Sequence, residues 1–68
     1  KIKFGENLKA LRADRNLRQE DLAKVLGTTQ RRISYLETGK IQPDLETLWA
    51  LAEYFDISVD ELIGKSGY

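Results

Sequence analysis

Between Thr29 and Thr38 the chain carries a run of side chains suited to hydrogen bonding with an extended polar ligand. Successive residues of an α-helix rotate by about 100°. On that spacing Gln30, Ser34 and Thr38 share a face with Arg31 and Tyr35, while Ile33 and Leu36 point the other way. One face is polar and basic, the other apolar. A glutamine amide sets a donor beside an acceptor and matches the major-groove edge of adenine; the arginine fork matches guanine. A merely solvated helix face has the same make-up, so the elements around this one must decide between the two.

Other kinds of chemistry have few candidates. The 68 residues include no cysteine and no histidine, which removes disulfides, thiolate nucleophiles and zinc sites with those ligands. There is no glycine-rich phosphate loop and no convincing carboxylate pair, so the chain does not read as an enzyme and no cofactor or small-molecule ligand is implied. No apolar run approaches the roughly 20 residues that span a bilayer, and no signal peptide is visible. A cytoplasmic location is therefore expected. The absence of methionine points to a trimmed or processed chain, with a larger parent protein left open.

Net charge is zero, but it is unevenly spread. Residues 1–42 hold ten Lys and Arg against five Asp and Glu, whereas residues 43–68 hold one lysine against six acids. A local positive field attracts phosphates even on a neutral molecule. Two ordinary solvated surfaces would look the same by charge alone.

The positioning elements read as helices throughout. The 41% hydrophobic content suits one small all-α domain covering residues 1–68. Phe4, Leu8 and Leu11 mark a first helix ending near Arg15, with Asn16 in a left-handed turn and Leu17 folding back onto the core. A second helix spans about Gln19 to Leu26, with Glu20 and Asp21 in its first turn and Gly27 closing it. Thr28 is the expected cap of a third helix, about Thr29 to Thr38, which Gly39 ends. After the loop Lys40-Ile41-Gln42-Pro43, Asp44 caps a fourth helix with Leu45, Leu48, Leu51, Ala52 and Phe55 inward. Trp49 is read first as core and second as a dimer contact. Ile63 and Tyr68 raise the same dimer question. Ser58 and Glu61 form a capping box for a fifth helix, flanked by Ile57 and Leu62 at the staple positions.

The second and third helices, joined by a tight turn at Gly27, are the main signal. A reading helix enters the major groove only if its partner supports it at a steep crossing. Ala23 is small enough for that crossing, Gly27 allows the turn, and Ile33 and Leu36 anchor the back of the third helix. A generic helical hairpin within a bundle is the bland alternative.

These residues carry a resemblance. Gln19-Glu-Asp-Leu-Ala23, Leu26-Gly-Thr-Thr-Gln30, Ile33-Ser-Tyr-Leu-Glu37-Thr-Gly39-Lys40, Pro43-Asp-Leu-Glu-Thr-Leu48, Leu51-Ala52 and Ile57-Ser-Val-Asp-Glu-Leu-Ile63 are similar to the Cro/C1-type (phage-repressor-like, XRE) helix-turn-helix domains. The likeness runs from Phe4 to about Ile63. It implies five short helices in a lambda-repressor-like fold. It implies a sequence-specific double-stranded-DNA-binding transcriptional regulator, expected to be a repressor that binds a palindromic operator as a homodimer. It implies base-edge roles for Thr29, Gln30, Arg31, Ser34 and Tyr35, and a phosphate on the backbone N–H of Gln19. Arg32 on the flank of the reading face, and Lys40 and Gln42 in the loop after it, suit further phosphates. Arg18 departs from the pattern, which has Ser, Thr or Asn there, because arginine cannot accept a capping hydrogen bond; it either meets phosphate or stays solvated. The resemblance also pairs Arg12 with Glu37 as a structural salt bridge, with phosphate contact a further role for Arg12. The alternative on the same fold is an antitoxin or adaptor that binds a protein through the acidic half.

Overall fold

A computed structural model describes residues 2–64. It contains five α-helices: α1 (Phe4–Asp14), α2 (Gln19–Leu26), α3 (Gln30–Thr38), α4 (Leu45–Phe55) and α5 (Val59–Ile63). No strand occurs among the described residues. Lys1 and residues 65–68 lie outside them, and the question raised for Tyr68 goes with them.

Short-range chemistry starts and stops each helix. Asn16 sits at φ 57°, and the N–H of Leu17 returns to the carbonyl of Arg12 at 3.0 Å, so α1 ends where the sequence predicts. Gly27 adopts φ 67° after α2, a backbone state that costs a glycine no Cβ clash. The Ser58–Glu61 capping box forms as expected: the N–H of Glu61 donates to Ser58 Oγ at 3.0 Å and that of Ser58 to Glu61 Oε1 at 3.0 Å.

One cap moves by a residue. Thr29, rather than Thr28, precedes α3 in extended geometry, and its hydroxyl accepts the N–H of Arg32 at 3.2 Å. Thr28 instead belongs to the end of α2, donating its N–H to the Ala23 carbonyl at 2.9 Å.

Asp44 caps α4 by accepting the N–H of Thr47 at 2.8 Å. Bonds from Thr47, first its side chain and then its backbone, hold the Asp44 carboxyl below its ordinary pKa. A depressed pKa contributes stability above the unfolded value, lost as pH falls through the folded one. Melting temperature should therefore fall as pH drops below about 4. Asp44→Asn keeps the cap and should flatten part of that slope, as thermal melts from pH 5 to pH 2 would measure.

Phe4, Leu8, Leu22, Ala23, Ile33, Leu36, Leu51, Phe55 and Leu62 form the core, with Leu11, Leu17, Leu26, Ile41, Leu48 and Ile57 packed against it. Two expectations for α4 fail here. Leu45 is 83% exposed and Trp49 65% exposed, so neither belongs to the core. Leu48, Leu51 and Phe55 supply the inner face, while Leu45 and Trp49, four residues apart, lie on another.

Three ties bind the scaffold beyond apolar packing. Asn7 Nδ2 donates to the Leu62 carbonyl at 3.1 Å, and the N–H of Lys3 to the Ile63 carbonyl at 3.1 Å, joining α1 to α5. Arg15 donates to the carbonyls of Tyr54 and Phe55 at 3.2 Å each, with its guanidinium over both rings. A cation there also opposes the negative end of the α4 dipole. Gly5 is the third. A Cβ at that position would lie 2.4 Å from the carbonyl oxygen of Glu37 and 2.9 Å from that of Leu36, so α1 and α3 touch backbone to backbone.

Candidate nucleic-acid interface

α3 is held by its back and presents its front. Ile33 and Leu36 are fully buried, and Glu37 is buried beside them. Ala23, also buried, gives α2 the small contact that close packing against α3 requires. Gln30 and Arg31 are exposed at the N-terminal end, and Ser34 and Tyr35 are half-buried along the same side. The geometry thus brings together the side chains that helical spacing placed on one face. Among the described residues the Arg31 guanidinium forms no hydrogen bond or ion pair. Thr29 stands at the head of this face, its hydroxyl oxygen engaged as the cap.

The Arg12–Glu37 pair is present and anchors α3 to α1. Arg12 Nε donates to Glu37 Oε2 at 2.6 Å and Nη2 to Oε1 at 3.2 Å. Nη1 donates to the Leu17 carbonyl at 2.7 Å, which ties the same guanidinium to the turn before α2. The side chains are 15% and 2% exposed. The hydrogen bond to Glu37 raises the Arg12 pKa against the opposing effect of burial. All three guanidinium nitrogens are therefore engaged internally.

Gln19 opens α2 next to this pair. Its Nε2 donates to Glu37 Oε1 at 3.0 Å, and its Oε1 accepts from Gln30 Nε2 at 2.5 Å. A continuous run of polar contacts thus leads from the buried ion pair to the first residue of α3. Sequence spacing held no signal for it, because residues 18 and 11 positions apart must be brought together by the fold.

The remaining basic groups lie around the edge. Arg32 is half-buried and reaches Thr47 Oγ1 at 3.5 Å, so it flanks the face and leans on α4. Lys40 Nζ lies 4.8 Å from the centre of the Tyr35 ring, a cation–π contact at the far end of α3. Gln42 is exposed in the following loop. Arg18, for which phosphate and solvent were the expectations, pairs with its own helix. It donates to both oxygens of Asp21 at 3.2 and 3.1 Å, while its backbone N–H donates to Asp21 Oδ2 at 2.9 Å. Asp21 thereby supplies the reciprocal half of a capping box, while its own N–H, which a cap side chain would have taken, donates to the Arg18 carbonyl at 3.1 Å; the Asp21 pKa falls because of the bond from Arg18. Gly5 and Arg15 also support the site without having been singled out by sequence; each acts on a distant helix.

A helix-turn-helix family model matches residues 8–62. The HTH-type transcriptional activator BcrR of Enterococcus faecalis is 39% identical over 62 residues, which cover 91% of this chain and 30% of that protein. A transcriptional regulator from Listeria innocua superposes with a TM-score of 0.93 at 35% identity, covering all of this chain and 64% of the other. The P22 c2 repressor, solved in complex with synthetic operator 9T, superposes with a TM-score of 0.85 at 32% identity, covering 93% of this chain and 96% of the other. This chain is thus a stretch of about 30% of the length of BcrR and about two thirds that of the Listeria chain. With the matched residues spanning α2, the Gly27 turn and α3, the chain belongs to the helix-turn-helix family, in its Cro/C1 (XRE) branch.

Proposed function

We propose that this chain is the sequence-specific double-stranded-DNA-binding domain of a transcriptional regulator, acting as a repressor in the cytoplasm. The observation that carries the reading is the asymmetry of α3: its back is locked by Ile33, Leu36 and Glu37, while Gln30 and Arg31 stand exposed at its leading end. A helix presented this way fits the major groove, with Gln30 on adenine and Arg31 on guanine. Thr29, Ser34 and Tyr35 complete the base-edge face. The Gln19 backbone N–H at the start of α2 holds one phosphate. Arg32, Lys40 and Gln42 hold others. Arg12 and Arg18, engaged with Glu37 and Asp21, serve the backbone of the duplex less than these do.

A module of this size offers only about 600–1,000 Å² to DNA, so a homodimer on a palindrome is the route to useful affinity. Half-sites about one helical turn apart, roughly 34 Å, would let each copy present α3 to the same face of the duplex. The exposed Leu45 and Trp49 on α4 favour a second reading, a module that binds another protein through this apolar, acid-bordered face.

Selection of bound duplexes from a random pool tests the first reading. It should return a symmetric site whose spacing reports the dimer. Arg31→Ala should lose discrimination at one base pair by about tenfold or more. Arg32→Ala should weaken all sequences alike and lower the salt slope by about one. Unaltered binding in both variants would remove α3 from the interface. A protein partner with no duplex affinity would favour the second reading.

A further inference from the structure

We propose that Tyr35 is a positioning residue whose ring holds the Lys40 ammonium ready for a phosphate without neutralising it. This rests on α3 entering the major groove as proposed above, with Lys40 at the backbone of the duplex. A lysine is a strongly hydrated point charge on a flexible four-carbon stem, and ordering that stem on a phosphate costs rotamer freedom. Here both ends of the side chain are tied to one residue. The Tyr35 carbonyl accepts the N–H of Gly39, that of Lys40 at 2.9 Å and that of Ile41 at 3.3 Å, so the turn closing α3 folds back onto Tyr35. Ile41 packs against the core, which fixes where the Lys40 side chain starts. Its ammonium then lies 4.8 Å from the centre of the Tyr35 ring.

What does the holding decides what is left for DNA. Arg12 and Arg18 are pinned by the carboxylates of Glu37 and Asp21, and each acid cancels much of the charge it fixes. Among the described residues Lys40 forms no ion pair. An aromatic face attracts a cation through its quadrupole and carries no net charge. Lys40 is therefore steadied while its full charge stays available. Tyr35 is half-buried and Lys40 exposed, so the fold sets the platform and the ammonium remains open to a phosphate. Part of the ordering that binding requires is done before the duplex arrives. Tyr35 acts here through Lys40; a contact of its own hydroxyl with a base edge is a separate matter.

A double-mutant cycle on a duplex selected from the random pool separates the two. Tyr35→Leu, Lys40→Met and the double variant are titrated beside wild type. Any base contact of Tyr35 is lost in both Lys40 backgrounds and drops out of the cycle. Tyr35→Leu should cost about two- to fivefold more affinity when Lys40 is present than when it is methionine. Tyr35→Phe keeps the ring and should keep that coupling. Lys40→Met should lower the salt slope by about one. An equal cost of Tyr35→Leu in both backgrounds, a coupling lost in Tyr35→Phe, or an unchanged salt slope in Lys40→Met would each overturn the proposal and leave the DNA reading standing. If wild type binds no duplex, the reading of α3 fails instead. The holding of Lys40 is then judged in the free protein by NMR, as it is if Tyr35→Leu does not fold. The ring should move the methylene protons next to the Lys40 ammonium upfield of those of the other lysines; unshifted resonances in wild type would overturn it.

Discussion

Arg12→Leu should destabilise the domain by about 3–5 kcal/mol, because one half of a buried ion pair is removed and the other stays behind. Glu37 would keep only the N–H of Gln19, at a position where its side chain is 2% exposed. The Leu17 carbonyl would lose its donor as well. Domains in general hold only about 5–15 kcal/mol, and small ones sit at the low end, so this loss brings the variant close to unfolding at room temperature. Urea denaturation would measure it as a drop in midpoint at constant slope. The companion variant Arg12→Leu/Glu37→Leu should recover much of the loss, since an apolar pair of similar volume avoids the stranded charge. A single-variant cost under about 1 kcal/mol would mean that water reaches the carboxylate.

Gly5→Ala is the second large effect, and its sign is the informative part. In an open helix the change stabilises by roughly 0.5–1 kcal/mol. Here the added Cβ would sit 2.4 Å from the Glu37 carbonyl oxygen and 2.9 Å from the carbonyl carbon. Those are backbone atoms, which no rotamer change moves aside. The helices must separate, at a cost of about 1–3 kcal/mol. Because α3 is the helix displaced, duplex affinity should fall by more than the loss of folded protein explains. Thermal melts and duplex titrations on the same preparation would separate the two; a melting temperature equal to or above wild type would show that the contact is loose.

The helix boundaries were legible because their causes are local. Asp44 with Thr47, Ser58 with Glu61, and the left-handed turns at Asn16 and Gly27 each act within a few residues. The Thr28/Thr29 cap slipped by one because either threonine satisfies the same local rule; only the bond to Arg32 picks Thr29. The exposed face of α3 was legible from periodicity, since Ile33 and Leu36 leave no other way round. The Arg12–Glu37 pair came from the resemblance, as nothing in the spacing joins those residues. Leu45 and Trp49 misled because periodicity reports apolar stripes, and α4 carries two; packing against the other helices decides which is inside. Gly5, Arg15 and the Gln19–Gln30 contact were silent for a related reason. Each is defined by what approaches it from another part of the chain.

The junction of α1 with α5 has a consequence for how the domain breathes. Asn7 and Leu62 meet across 55 positions, and the Lys3–Ile63 bond lies beside them. Five-residue α5 has little helical stability of its own and depends on this seam and on Leu62 in the core. It is therefore the element expected to detach first when the native state opens locally. α2 and α3 are cross-linked through Glu37 to the other end of α1, so such an opening leaves them in register. Amide protons of α5 should exchange with solvent earliest among the helices, while the surface offered to the duplex keeps its shape through the most frequent excursions of the fold.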